Sequence, residues 1–132
     1  MDGLVAQERK RDGAIYKDDS VELFVDPGGP HRRSRFQFSF NALGTQGDAR
    51  NVDTTWNGSY RVAASKDATG WSVEVGVPWS VLEVDSAKVG LELPLNVCRT
   101  RRAESPNEYT QWAPTLQAYD RPELFGRLVL GD

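Results

Sequence analysis

The chain carries one cysteine, one histidine and one methionine in 132 residues, and each scarcity closes off a class of chemistry. With Cys98 alone no internal disulfide can form. No histidine lies in a neighbouring run, so its thiol reads as a half-buried strand residue rather than a nucleophile. His31 sits beside Arg32 in a turn-like segment, which disfavours both a multi-histidine metal site and a Ser-His-Asp arrangement. No stretch approaches the roughly 20 apolar residues of a membrane span, and Met1 to Gln7 lacks the basic-then-apolar pattern of a secretory leader. Cationic excess is also missing. Sixteen Lys and Arg against nineteen Asp and Glu give a net charge of −3, whereas nucleic acid and anionic membrane select concentrated basic charge. The basic stretches Arg9–Arg11, His31–Arg33 and Arg99–Arg102 are read as solvated loops and a strand end. Gly28-Gly29 and Gly44 to Gly47 lack the lysine and following helix of a phosphate-cradling loop, so they are turns.

What is present is enough apolar residue, 39% of the chain, for one globular domain over residues 1–132 with its own core. The apolar positions alternate and Gly or Pro clusters interrupt them, which is an all-β pattern. A first strand is expected over Ser20 to Asp26, ended by Pro27-Gly28-Gly29-Pro30. A second runs from about Ser34 to Asn41, with Phe36, Phe38 and Phe40 towards the core and Gln37, Ser39 and Asn41 away from it. A Gly- and Asp-rich loop follows from Ala42 to about Asn57. Tyr60–Lys66 and Trp71–Val77 then form a hairpin across Asp67-Ala68-Thr69-Gly70, with Trp71, Val73, Val75 and Val77 as its buried set. Pro78 opens a short helical turn near residues 78–83. Leu91, Leu93, Leu95 and Val97 alternate through a further strand, and Leu124 to Leu130 closes the chain. Short strands with two distinct faces imply an antiparallel, jelly-roll-like β-sandwich.

With histidine and cysteine chemistry set aside, carboxylates remain. Glu22, Glu74 and Asp26 fall on non-core faces. A catalytic pair such as Glu22 with Glu74 is one reading, and a solvated outer face is the other. Asp18, Asp19, Asp48, Asp53 and Asp120 are candidate calcium ligands, although no fixed ligand spacing is present and the metal question stays open. Aromatics stand near acidic residues twice, as Tyr16 six positions before Glu22 and as Tyr119 six positions before Phe125-Gly126. A sugar is gripped by such a combination, a ring against its C–H face and a charged acceptor for its hydroxyls.

Four segments in order carry a resemblance: Asp18-Asp19-Ser20-Val21-Glu22-Leu23-Phe24-Val25-Asp26; Phe36-Gln37-Phe38-Ser39-Phe40-Asn41; Gly70-Trp71-Ser72-Val73-Glu74-Val75 with Pro78-Trp79; and Pro122-Glu123-Leu124-Phe125-Gly126-Arg127-Leu128. From about Arg11 to Leu130 the chain resembles the family 9 carbohydrate-binding modules. The resemblance implies a non-catalytic β-sandwich that accepts a glycan end between two aromatic rings, as an accessory to polysaccharide-degrading glycoside hydrolases. Extracellular or periplasmic action is implied with it. The implied sugar-binding residues are Tyr16 and Tyr119 in place of the family's tryptophans, Glu22 as carboxylate acceptor and Asn41 as polar amide. Ser39 stands where an arginine is expected and Leu116 where an amide is expected, which leaves Gln37, Arg35, Asn96 or Arg99 as substitute donors.

In the family further strands usually precede the position of Tyr16, and the resemblance leads to the expectation that they are missing here. A sandwich without them exposes unpaired backbone and apolar surface, so either a homodimer across the open edge or the domains of a parent enzyme are expected to cover it. Three readings compete: a carbohydrate-binding module, an interaction or structural β-sandwich that has lost its sugar, and a glycosidase using Glu22 and Glu74.

Overall fold

The computed structural model describes residues 3–28, 34–102, 105–116 and 118–132. The expected turn at His31–Arg33, with Gly29 and Pro30, lies outside the described residues. Eight strands are found among the described residues: β1 Ser20–Val25, β2 Phe36–Asn41, β3 Gln46–Arg50, β4 Arg61–Lys66, β5 Trp71–Gly76, β6 Glu92–Arg101, β7 Glu108–Gln111 and β8 Gly126–Val129. All pairings are antiparallel, and they form a β-sandwich of two unequal layers. The larger sheet has the order β3-β2-β1-β6, and β7 and β8 share the far edge of β6, while β4 and β5 make the second layer.

Alternation decides which side chains meet. Val21, Leu23 and Val25 pair with Phe40, Phe38 and Phe36, and this face turns towards the smaller sheet. Phe36, Phe38 and Phe40 are essentially inaccessible to solvent. With Val25 and Leu82 they form the core, against which Trp56, Tyr60, Val62, Val73, Val75 and Leu95 pack. Complete burial stabilises by about 1.5–3 kcal/mol per large side chain, so the three phenylalanines anchor the two layers.

Turn chemistry sets the register. The Asp67 carboxylate accepts the N–H groups of Thr69 and Gly70 and the Thr69 hydroxyl, closing the β4–β5 hairpin where the Asp-x-x-Gly run predicts it. After β3, Asn51 and Val52 both take positive φ, 50° and 66°, and Arg50 and Asp53 exchange backbone bonds across them, the geometry of a tight two-residue hairpin turn. Pro78 to Glu83 makes consecutive three-residue turns, matching the expected helical turn.

Two strands depart from expectation. The segment read as a loop over Ala42–Asn57 contains β3, and β7 has no counterpart in the alternation reading. Gln46-Gly47-Asp48-Ala49-Arg50 has little β-branched or apolar character, and pairing with β2 overrides its weak local preference; Glu108-Tyr109-Thr110-Gln111 has strand formers in Tyr109 and Thr110 but is only four residues long, and pairing with β6 fixes it.

The segment before β1 is fastened by side chains. Asp18 accepts the N–H of Glu8 and the Asn41 amide, and Asp19 accepts the N–H groups of Val5 and Arg102. Arg11, expected as part of a solvated loop, instead reaches Asp48 at 2.5 Å and the Gly58 carbonyl at 2.8 Å.

Cover by the second layer is incomplete. On the same face as Leu23, the β6 side presents Val97 at 40% exposure, Leu128 at 42% and Trp112 at 57%. The Trp112 ring lies so close to Gly126 that a Cβ there would clash with it.

Candidate functional site

The face of the larger sheet that points away from the core is largely polar because most residues between the inward-pointing ones are polar, Phe24, Ala49 and Cys98 being the apolar exceptions. Register brings them into line. Gly47, Ser39, Glu22, Cys98 and Gln111 stand side by side on β3, β2, β1, β6 and β7. Four inter-strand gaps make this row about 19 Å long. One flanking row holds Ala49, Gln37, Phe24 and Asn96, and the other holds Asn41, Ser20, Thr100 and Tyr109.

Glu22 is the centre of the row. Its Oε1 accepts a hydrogen bond from the Gln37 amide at 3.0 Å. Burial pushes its carboxyl above the usual glutamate range, and the Gln37 bond and the Arg102 charge offset only part of that. The neighbouring Cys98 thiol is fully buried and pushed up to about 12 by burial and by the Glu22 charge. It is therefore an inert packing group.

Two depressions flank Glu22 along the row. The larger, about 450 Å³, is lined by Tyr109, Gln111, Leu116, Ala118 and Tyr119. The smaller, about 110 Å³, includes Gln37, Ser39, Gly47 and Asp48 in its wall. Tyr119 packs edge-on against Phe24, ring centroids 6.4 Å apart, and donates its hydroxyl to the Arg99 carbonyl at 3.2 Å. Burial raises the pKa of its phenol. Tyr16 lies in the three-residue turn Ile15–Lys17 with its ring largely exposed. Arg102 links that turn to β7: it donates twice to the Tyr16 carbonyl and once to the Tyr109 hydroxyl, and lies over the Tyr109 ring at 5.3 Å.

The fold thus gathers Glu22, Gln37 and Ser39, sets Tyr119 over the adjoining row, and ties the backbone of Tyr16 to Tyr109. Asn41 stands apart. It is fully buried, donates to the Glu8 carbonyl and to Asp18, and accepts from the Leu43 and Thr45 N–H groups. All four of its hydrogen-bonding positions are taken, so in this conformation it fastens the N-terminal segment. Among the substitute donors, Arg35 is paired with Asp120 at 3.0 Å and Arg99 with Glu108 at 2.8 Å. Asn96 is buried and bonded to Val97 and Ala113.

The Glu22–Glu74 pair fails on geometry. Val73 and Val75 pack inward on β5, so Glu74 points out of the smaller sheet while Glu22 points out of the larger one. Sheets stack about 10 Å apart and the two carboxylates face away from each other, whereas glycosidase pairs lie within roughly 9.5 Å across one bond. Among the described residues no three His, Cys, Asp or Glu side chains converge on a point that could hold a metal. Asp48 and Asp120 are taken by arginines, and Asp53 accepts from Thr55.

Sequence reasoning missed Arg102, Tyr109 and Gln111. The one signal was the alternation Glu108-Tyr109-Thr110-Gln111, too short and polar to mark a strand.

Comparison with known proteins bears on this arrangement. No curated protein matches the chain. Among solved structures, a protein of Bacteroides uniformis described as a candidate carbohydrate-binding protein has the same fold: TM-score 0.69 and 18% identity, over 96% of this chain and 67% of that one. The family model described as carbohydrate family 9 binding domain-like matches residues 2–132. A match over nearly the whole length, on a sandwich of this topology, shows that the chain belongs to the carbohydrate family 9 binding domain-like family.

Proposed function

We propose that this domain is a non-catalytic carbohydrate-binding module that receives the end of a glycan over the row centred on Glu22. Tyr119 and Tyr16 supply the aromatic faces, Glu22 accepts sugar hydroxyls, and Gln37 and Ser39 complete the polar contacts. Asn41, buried on the same face, acts by holding the N-terminal segment. The observation that carries this reading is a half-buried carboxylate, steadied by an amide and standing in the row between two depressions, one of them walled by tyrosine. A site that must grip hydroxyls needs few polar groups if they are fixed and partly dehydrated, and the rings provide the apolar contact. The setting we infer is accessory to polysaccharide breakdown, extracellular or periplasmic. The apolar half-face at Val97, Trp112 and Leu128 then belongs against a second copy or against domains of a parent protein.

A second reading, a sandwich that keeps the fold without the sugar, is favoured by one fact: Arg35, Asn96 and Arg99 are all engaged elsewhere. Isothermal titration with glucose, xylose, cellobiose and xylobiose, each beside its reduced alditol, separates the two. Saturable heat that disappears on reduction of the end sugar, and on Tyr119→Ala, is expected of a glycan-end module. Absence of heat at millimolar concentrations of all of them would leave the fold-only reading standing.

A further inference from the structure

Leu116 combines two features that, among the described large apolar residues, it shares with Val52 in the turn after β3. Its backbone is left-handed, φ 66°, a conformation that glycine or asparagine adopts with little strain and leucine does not. Its side chain is 78% exposed, so core packing gives nothing back for that strain. Strain of this kind, held in place by surrounding structure, concentrates at binding sites. Leu116 lines the 450 Å³ cleft, where it faces a defined set of groups.

Among the described residues that set is mostly apolar: Tyr109 and Tyr119 present rings, Ala118 a methyl and Leu116 an isobutyl group, and Gln111 is the one described amide in the wall. The Gln111 oxygen accepts from Thr115 at 2.5 Å; its nitrogen has no partner among the described residues and can donate to a hydroxyl. A sugar hydroxyl set against the Leu116 side chain would lose water and gain no partner from it, an unfavourable exchange. A methyl group set there gains contact at no polar cost.

We infer that the cleft selects a pyranose bearing a methyl group at its rim, a 6-deoxyhexose or an O-acetylated sugar, with Leu116 as the specificity-determining residue. This rests on the sugar-binding reading above and narrows it. One buried methyl is worth about fourfold in affinity, the ratio to which ~0.8 kcal/mol corresponds. Volume is no obstacle, because a cleft of this size is within the range of small-ligand sites.

The test compares matched pairs against the full chain: L-fucose with L-galactose, 6-deoxy-D-glucose with D-glucose, and acetylated with deacetylated xylo-oligosaccharide. Leu116→Asn is the informative variant, because asparagine suits the left-handed backbone and leaves folding intact. The expected result is a preference of fourfold or more for one methyl-bearing partner in the wild type, abolished by Leu116→Asn with the melting temperature unchanged or raised. Whichever pair shows the preference identifies the deoxy or the acetyl methyl as its source. Equal affinity within every pair, or preference for the parent sugar, overturns the inference and leaves sugar binding intact. Absence of binding to every sugar overturns both.

Discussion

Replacing Glu22 by glutamine should move affinity and stability in opposite directions. The side chain keeps its shape and its Oε1 still accepts from Gln37, so the perturbation is the loss of one negative charge. A hydrogen bond to a charged acceptor contributes about 1.5–3 kcal/mol against about 1 for a neutral one. Each sugar hydroxyl that donates to Glu22 should therefore lose about 0.5–2 kcal/mol, or roughly twofold to thirtyfold in affinity. For the fold the sign is reversed. Burial raises the Glu22 pKa above its ordinary 4.5, so ionisation costs the folded state, and the stability of the neutral form is lost as pH rises through the folded pKa. The glutamine variant avoids that cost. Its melting temperature should match or exceed the wild type at neutral pH, and the gain should vanish as pH falls through the raised value towards 4.5. Sugar affinity of the wild type should weaken over the same window, and that of the variant should stay flat. Thermal unfolding and titration calorimetry on both proteins between pH 4 and 8 measure all of this. A lower melting temperature at neutral pH in step with weaker binding would refute the reasoning, because the charge would then be holding the fold together.

Two further outcomes follow from the packing. Arg11→Met leaves the fully buried Asp48 carboxylate without its cation; it should cost about 3–5 kcal/mol, a melting-temperature loss of roughly 10–20 °C, with much of it recovered by adding Asp48→Asn. A single variant that melts within a few degrees of wild type would show that the pair contributes little. At high concentration, sedimentation equilibrium should give a mass above the 14.7 kDa of one chain, returning to that value on Val97→Lys; one 14.7 kDa species with no binding of an apolar dye would count against self-association through the uncovered half-face.

Much of the sandwich was legible because its central strands alternate strongly. Phe36, Phe38 and Phe40 declare one face of β2, and this requires Gln37 and Ser39 to share the other; Val21, Leu23 and Val25 do the same for Glu22. What alternation cannot supply is register between distant strands. Nothing local to Cys98 or Gln111 says that either stands in line with Glu22, and so the row and its tyrosine-walled cleft emerge only from the pairing of β1, β6 and β7. Asn41 teaches the complementary lesson. Its position on the polar face was predictable, but its four hydrogen bonds come from Glu8, Asp18 and the turn at 43–45, partners that a period-two pattern does not reveal.

The role of β6 has a consequence for how the site comes into being. It pairs with β1 between residues some 70 to 80 positions apart in the chain, whereas β1 with β2, β2 with β3 and β4 with β5 are neighbours. Closing so long a loop costs chain entropy before any contact repays it, so the local hairpins assemble first and β6 arrives after them. Until it does, Glu22 has an open flank and keeps its water. The half-buried carboxylate is thus complete only once β6 has docked, and a nascent chain that has yet to deliver β6 carries Glu22, Gln37 and Ser39 without the environment that gathers them.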